Sequence, residues 1–389
     1  MTQPLPPNRP VASVNNLFVL AAENSAETYA TQVVEEFKRQ YPDISIFGVG
    51  GDKLREAGME LILHNREFSI VGIIEVLSSI FKLKKYMNLL VKEVLRRNAD
   101  AVLLVDYPDF NLRLAKKFKK AGIPVYYYIS PTVWAWRYAR VKVIKRYVDH
   151  MFIIFPFEVE IYKRENIPFT YTGHPMVPRI QVTQRRGEFR RDNRLGMEET
   201  VITLLPGSRK SEVASLLPEM LKAASILMTR RDARICLLKA HNIDRSLIQP
   251  LLDQYQTEVE IFPQDQGYDL INASDLVITT CGTSNLEIAM LGVPFFAVYQ
   301  VNSLSYLLGK NFLKINLYSI VNILAGKEVV RELIQQDYNV QNIMREALRI
   351  LDSQEVRDRM LREFAGIRSR LTQNQNPPQL IVNKISEGL

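Results

Sequence analysis

The sequence predicts an α/β protein of two doubly wound, Rossmann-like domains with mainly parallel sheets. Three observations carry that reading. The chain has 389 residues, more than one ordinary domain needs. Short apolar strands alternate with amphipathic helices along most of it. The alternation stops at a charged stretch, residues 177–200, and then starts again. With 47% apolar and 24% charged residues, and only 17 Gly and 19 Pro, the composition is that of a globular chain and excludes collagen-like or low-complexity classes.

Residues 1–16 are polar and Pro-rich, which reads as a flexible tail rather than a signal peptide. Leu17–Ala22 is a strand, Ser25–Gln40 a helix and Ile44–Gly50 a second strand. Phe68–Phe81 is apolar, interrupted by Glu75, too short to span a bilayer, and followed directly by lysines. Tyr86–Arg97 places Met87, Leu90, Val91, Val94 and Leu95 at helical spacing. Ala101–Asp106 is apolar without alternation, the mark of a strand covered on both faces. Helix Phe110–Ala121, strand Val125–Ile129, helix Val141–Tyr147, strand Met151–Phe155 and strand Phe169–Thr172 complete a first domain, 17–176. Residues 177–200 hold Arg179, Arg185, Arg186, Arg190, Arg191 and Arg194 among few apolar residues, and read as a linker.

The second domain, 201–389, restarts with strand Val201–Leu205 and helix Val213–Thr229. Strands Arg234–Lys239, Val259–Phe262, Leu276–Thr280 and Phe295–Val298 follow, with helices between them. Val340–Ile385 reads as helices, the last of them free to fold back on the first domain. Two such domains place a ligand cleft between them, at the carboxyl ends of their strands.

Several function classes fall away. Cys236 and Cys281 are too few for a disulfide framework or a Cys-built zinc site, and suit a reducing compartment. The four histidines lie far apart, so no metal centre is expected. The net charge is +8, yet residues 82–146 alone hold sixteen Lys or Arg against four Asp or Glu. Such a window favours an anionic surface. The apolar Phe68–Phe81 stretch beside it points to a membrane surface and not to nucleic acid, with solvated helix faces as the plain alternative.

Four loops carry chemistry. Strand Val201–Leu205 runs into Pro206, Gly207, Ser208 and Arg209 before a helix. Gly, a hydroxyl and a helix N-terminus bind anions, and an arginine fork suits phosphate. Strand Leu276–Thr280 runs into Cys281, Gly282, Thr283 and Ser284, a second turn of the same kind. Glu287 lies one helical turn further, where a carboxylate can accept bonds from ribose hydroxyls. Together these read as a nucleotide-diphosphate site. Cys281 reads as a small buried residue rather than a nucleophile. Strand Ala101–Val105 delivers Asp106 and Asp109. Asp109 reads as the cap of the next helix, and Asp106 as the general base. Glu23, after the first strand, can bind a sugar or tune Asp106, with Ser25 as a natural cap. His174, before Pro175, reads as structural.

These residues stand in motifs that resemble the lipid-A-disaccharide synthase family. The motifs are Asp106-Tyr107-Pro108-Asp109-Phe110-Asn111, Ser130-Pro131-Thr132-Val133-Trp134-Ala135-Trp136-Arg137, Gly173-His174-Pro175, Leu205-Pro206-Gly207-Ser208-Arg209 and Gly282-Thr283-Ser284-Asn285-Leu286-Glu287. Val71–Leu77 and Asn322–Gly326 also match, and the likeness runs from about Leu17 to the C-terminus. The resemblance implies the GT-B fold, two Rossmann-like domains facing across a cleft, with the nucleotide on the C-terminal one. It implies an inverting transfer from UDP-2,3-diacylglucosamine to 2,3-diacylglucosamine 1-phosphate, forming the lipid A disaccharide and UDP. No cofactor and no metal ion are implied. The setting is the cytoplasmic face of the inner membrane of Gram-negative bacteria, with room for a homodimer. By the same likeness Asp106 matches the essential carboxylate and Arg209 the essential arginine. Asn111, Trp136 and Asn322 match substrate-site residues.

One motif departs. Where the family has Ala-Gly-Glu-x-Ser-Gly-Asp, this chain has Ala21-Ala22-Glu23-Asn24-Ser25-Ala26-Glu27. Alanine is expected to obstruct a positive φ or a close sugar approach at these two places. Two other readings share the residues: a different UDP-sugar GT-B enzyme (an N-acetylglucosaminyltransferase or an epimerase), against which the Trp134–Trp136 motif argues, and a non-catalytic UDP-sugar-binding paralogue.

Overall fold

The structure, a computed structural model, describes residues 14–68, 76–134, 137–300, 317–372 and 376–389. It divides into two compact units. The first runs to Pro175 and takes in the C-terminal helix Pro377–Glu387; the second spans Met176–Gln373.

The first unit is built from β1 (Asn16–Ala21), α1 (Asn24–Gln40), β2 (Ser45–Gly50), α2 (Asp52–Glu56), β3 (Glu60–His64), α3 (Val76–Arg96), β4 (Ala101–Val105), α4 (Pro108–Lys120), β5 (Val125–Tyr128), α5 (Arg140–Tyr147), β6 (His150–Ile153), α6 (Glu158–Arg164) and β7 (Phe169–Tyr171). Its seven strands are parallel, in the order β3-β2-β1-β4-β5-β6-β7. The apolar strand sequences follow from burial on both faces. Phe18 and Leu20 of β1 face a layer formed by α3, α4 and α5, through Leu90, Leu114, Phe118 and Ile144. Leu17 and Val19 face the opposite layer, α1 and the C-terminal helix, through Val33, Phe37, Ile381 and Ile385. Because α3, α4 and α5 share one face, Lys82, Lys84, Lys85, the Arg113–Lys120 group and the Arg140–Arg146 group are gathered on one side of the sheet.

The second unit holds α7 (Arg186–Asp192), β8 (Thr200–Leu205), α8 (Lys210–Arg230), β9 (Ala233–Lys239), α9 (Arg245–Tyr255), β10 (Glu260–Pro263), α10 (Gly267–Ala273), β11 (Leu276–Thr280), α11 (Ser284–Leu291), β12 (Phe295–Tyr299) and β13 (Glu332–Ile334). Its parallel sheet has the order β10-β9-β8-β11-β12-β13. Helices Val340–Asp352 and Gln354–Leu371 complete it.

One stretch differs from the sequence reading, and the fold-back allowed for the last helix is present. Residues 177–200 are not a free linker, since α7 lies within them and packs on the second unit. Phe189 is buried, and the Arg190 guanidinium, 2% exposed, donates to the Ala273 carbonyl at 2.8 and 2.9 Å and pairs with Asp275 at 2.7 Å. A run of arginines looks solvated, but an arginine with its donors satisfied can bury its stem. The last helix belongs to the first unit, because Ile381, Val382 and Ile385 close the α1 layer. The short elements α2, β3 and β13 have no clear pattern in the sequence. The tail residues 1–13 and residues 69–75 of the apolar stretch lie outside the described residues. Among the described residues, no helix is long and apolar enough to cross a membrane.

Candidate functional site

Each sheet reverses its strand order once, between β1 and β4 in the first unit and between β8 and β11 in the second. Loops leaving such a switch point diverge and leave a crevice. The loops after these four strands, with the first turns of the helices they enter, carry nearly all the candidate residues. Glu23 and Ser25 follow β1, and Asp106 and Asn111 follow β4. Gly207, Ser208 and Arg209 follow β8, and Gly282, Thr283, Ser284 and Glu287 follow β11.

The loop after β4 is strained. Asp106 and Tyr107 are consecutive non-glycine residues in the left-handed region, at φ 51° and 49°. This costs about 1–2 kcal/mol for each residue and persists only where the surroundings enforce it. Here they do. The Asp106 N–H donates to the Tyr128 carbonyl at 2.9 Å. The Asp106 carbonyl accepts from the Tyr127 hydroxyl at 2.6 Å and from Asn111 Nδ2 at 2.7 Å. Burial pushes the Asp106 carboxyl up to about 6; the negative charge of Glu23 adds to this, and the Tyr107 N–H opposes it. A carboxylate with that pKa, beside a second acid, holds and releases a proton near neutral pH.

Several expectations change here. Asn111 is fully buried and donates to the Val105 and Asp106 carbonyls, so it positions the loop from below. Ser25 lies inside α1 and is exposed; the cap position is Glu23, without a side-chain bond. Asp109 does not cap its helix either. The helix begins at Pro108 with Tyr107 as its cap residue, because proline suits the first helical turn. The Asp109 carboxylate instead meets Arg140 at 2.5 Å and Arg137 at 3.1 Å.

The departing first loop is accommodated. Neither Ala22 nor Ala26 has a positive φ, and both methyl groups are buried in the two core layers. The obstruction expected from the missing glycines does not arise in the backbone. Glu27 is buried and turned inward. It accepts the Lys53 N–H at 3.0 Å, at the start of α2, and Asn65 Nδ2 at 2.8 Å.

In the second unit, Gly207 has φ +112°, and a Cβ there would stand 2.4 Å from Glu212 Oε2, so the turn requires glycine. Arg209 is 76% exposed and pairs with Glu212 Oε1 at 2.6 Å. Glu212 Oε2 also accepts the Arg209 N–H at 3.3 Å. One donor of this helix end is therefore already taken, leaving the exposed Ser208 and Lys210 side of the turn open. The turn after β11 is freer. Gly282 and Thr283 are exposed, a Cβ at Gly282 would meet open space, and Thr283 makes no side-chain cap bond. The Ser284 hydroxyl bonds the Thr279 hydroxyl at 3.1 Å. Glu287 accepts from the Tyr268 hydroxyl at 3.0 Å, and burial raises its pKa. Tyr299, at the end of β12, feels Glu212, Arg209 and Cys281 together, which ties the two turns to one place.

Asn322 is not a surface residue. It is fully buried, its Nδ2 donating to the Val330 carbonyl and Glu332, and its Oδ1 accepting the Val329 and Val330 N–H groups. All its capacity holds the loop before β13. Trp136 lies outside the described residues; Trp134 packs edge-on against Phe157 at 5.1 Å. His174 is buried between Tyr29 and Phe155, and burial lowers it to about 4. Burial drives the Cys281 thiol well above its usual range, so it is not a thiolate nucleophile. Among the described residues, no three His, Cys, Asp or Glu side chains are grouped as metal ligands would be.

The sequence reading gave no role to Tyr107 and Asn285, which it quoted in motifs, and missed Tyr127 and Tyr268; a signal existed for Asn285. Asn285 follows Thr280 by five residues, as Asn111 follows Asp106, and Asn285 Nδ2 donates to the Thr280 carbonyl at 2.8 Å. Nothing in the sequence marks Tyr268.

A family model described as lipid-A-disaccharide synthetase matches residues 17–383. The lipid-A-disaccharide synthase of Geobacter sulfurreducens is 38% identical over 358 residues, covering 92% of this chain and 93% of its own length. That of Syntrophus aciditrophicus is 37% identical, covering 91% and 93%. Among solved structures, the UDP-GlcNAc 2-epimerase of Neisseria meningitidis bound to UDP-GlcNAc superposes with a TM-score of 0.62 at 13% identity, covering 95% of this chain and 98% of that one. That last likeness speaks for the fold alone.

Proposed function

The chain belongs to the lipid-A-disaccharide synthase family, and from that premise we propose that its first unit supplies the base, and its second unit the diphosphate site, of one glycosyl transfer. The chain is a hexosyltransferase of lipid A biosynthesis. It joins the sugar of UDP-2,3-diacylglucosamine to 2,3-diacylglucosamine 1-phosphate, giving the lipid A disaccharide 1-phosphate and UDP.

In this reading the acceptor's 6-hydroxyl attacks the anomeric carbon of the donor from the face opposite UDP, which inverts that centre. Asp106 takes the hydroxyl proton as the bond forms, because a neutral hydroxyl is a poor nucleophile. Burial, helped by the charge of Glu23, keeps Asp106 basic enough to do so. As the bond to UDP breaks, charge grows on the diphosphate. The N-terminal ends of α8 and α11, with Arg209, stabilise that charge. Glu287 receives the ribose hydroxyls, with Gly207, Ser208, Gly282, Thr283 and Ser284 lining the nucleotide. The observation that carries the reading is Asp106 itself: a half-buried carboxyl, raised to about 6, in a strained loop at a switch point. Incubating pure protein with both diacyl sugars should give disaccharide and UDP in equal amounts by mass spectrometry. Neither product from intact substrates would remove the assignment.

The reading also includes peripheral attachment to the cytoplasmic face of the inner membrane, through residues 68–146. Its support is the gathering of basic helices α3, α4 and α5 on one side of the sheet. Sedimentation with liposomes should need anionic lipid and weaken with salt. A homodimer is compatible with the reading, and sedimentation velocity tests it.

A further inference from the structure

On the basic face of the first unit, α4 and α5 enclose a groove of about 480 Å³. Arg113 and Lys116 line it from α4, Lys142 and Arg146 from α5, and all four are exposed. None of the four has an acidic partner among the described residues. The floor is apolar, made by Leu112, Val143 and the Tyr147 ring. Lys116 and Arg146 each lean on that ring, at 5.8 and 5.6 Å from its centre. The one carboxylate at the mouth, Asp109, is already bridged by Arg137 and Arg140.

A second basic hollow, of about 450 Å³, makes a useful contrast. Its arginines are spent. Arg186 pairs with Asp275, Arg231 with Asp352, and Arg357 donates to the Ile350 and Leu351 carbonyls. Of these two hollows, the α4–α5 groove is the one that keeps uncompensated positive charge around a concave surface, and such a site is complementary to a dianion.

Its position narrows the ligand. The groove opens at Pro108 and Asp109, immediately after the Asp106–Tyr107 turn. In a hexose 1-phosphate the 6-hydroxyl hangs from C5 through C6 and the phosphate from C1, the two carbons that flank the ring oxygen, so a phosphate site must adjoin the base. The first turns of α4 follow Asp106 directly in the chain, which makes this groove the basic site next to that carboxylate. We propose that this groove binds the anomeric phosphate monoester of the acceptor sugar, and so selects phosphorylated acceptors. The proposal rests on the transferase reading above.

The test compares the wild type with Arg113→Ala, Arg146→Ala and, as a matched loss of charge elsewhere, Lys163→Ala on α6. Turnover is measured in neutral detergent with the acceptor carrying its 1-phosphate and with the same sugar dephosphorylated. The preference in kcat/KM for the phosphorylated acceptor should fall about tenfold or more in each groove variant, the loss of one charge-assisted bond, mostly through KM. It should not fall in Lys163→Ala. Independently of turnover, phosphorus NMR of glucose 1-phosphate should show line broadening by the wild type that the groove variants lose. An unchanged preference together with unchanged broadening overturns the proposal. So does an unchanged preference with lost sedimentation on anionic vesicles, which would make the groove a lipid-headgroup site. A wild type that broadens the phosphate line but turns over neither acceptor supports the groove and rejects the transferase reading instead.

Discussion

The turns after β4 and β11 are built alike and carry opposite chemical groups. Each leaves a fully buried parallel strand at the switch point of its sheet. Under each lies a buried asparagine, Asn111 or Asn285, which donates to a backbone carbonyl five residues back. Each of these asparagines also leaves its Oδ1 without a partner. Above that shared support the chemistry diverges. The first turn holds Asp106 and Tyr107 in left-handed backbone, with one acid raised by burial and a second acid nearby. The second turn offers Gly282, Thr283 and Ser284 in unstrained backbone at a helix N-terminus. One turn is suited to carry a proton and the other to receive negative charge. The backbone device is common, and a few residues above it decide the task.

The largest effect should come from removing the acid of the first turn. Asp106→Asn keeps the shape and deletes the base, so kcat should fall by about 10²–10⁴. The pH profile follows from the raised pKa. The base works only when deprotonated, so kcat/KM of the wild type should rise with pH to a plateau above about 6. Stability runs the other way. The folded pKa lies above the unfolded value of 3.8, so the contribution of Asp106 to stability is complete below pH 4 and is lost as pH rises through 6. Asp106→Asn should therefore melt several degrees higher than the wild type at pH 7, with the difference vanishing near pH 4. A variant that is inactive and also less stable at pH 7 would mean that the loop needs the carboxylate for its shape.

In the second unit the matching change is Arg209→Ala. If the contacts of this arginine tighten as UDP leaves, kcat should fall by about 10²–10³, the cost of one transition-state donor. If they are equal before and during bond breaking, only KM for the donor should rise. The existing ion pair with Glu212 makes Glu212→Gln informative, since freeing the guanidinium should tighten UDP binding by calorimetry. Unchanged kcat/KM in Arg209→Ala would take the residue out of the site.

The paired asparagines test whether the shared support matters equally. Asn111→Ala and Asn285→Ala should each cost about 1–2 kcal/mol, softened because each also removes an unsatisfied buried oxygen. Their catalytic effects should differ. Asn111→Ala releases the strained Asp106 turn and should lower kcat about tenfold. Asn285→Ala loosens an unstrained turn and should mainly raise KM for the UDP-sugar. Identical kinetic losses would dissolve the comparison.

The sequence made the strands and the two loop chemistries legible, and it failed where long-range contacts decide. Uniformly apolar strands such as Ala101–Val105 announce a doubly covered parallel sheet, and Gly207 announces its own turn. Asn111, Asn322 and Asp109 carry no such mark. A polar side chain in a motif looks the same whether it faces a ligand or, like Asn322, spends every bond on its own backbone. Arg190 misled in the same way, because a buried guanidinium and a solvated one share one letter. Tyr268 reaches Glu287 from α10, a different helix, and no local pattern encodes that.

The smallest effect expected is at the other acid of the first turn, and it sharpens the contrast most cheaply. Asp109 is 70% exposed, and its partners are Arg140 at 2.5 Å and Arg137 at 3.1 Å. Solvent screens a carboxylate so placed, and exposed ion pairs contribute about 1 kcal/mol or less. Asparagine keeps one acceptor oxygen for Arg140, so Asp109→Asn should retain part of even that. No helix cap is lost, because Tyr107 holds the cap position. The melting temperature should drop by only a degree or two in dilute buffer and by nothing measurable in high salt, where the wild-type pair is itself screened. With no buried charge to relieve, the variant should show none of the pH-dependent gain expected of Asp106→Asn. Turnover should stay within a fewfold of the wild type. A hundredfold loss in Asp109→Asn, beside an active Asp106→Asn, would mean that the two carboxylates have exchanged roles and that the strained, buried acid is the structural one.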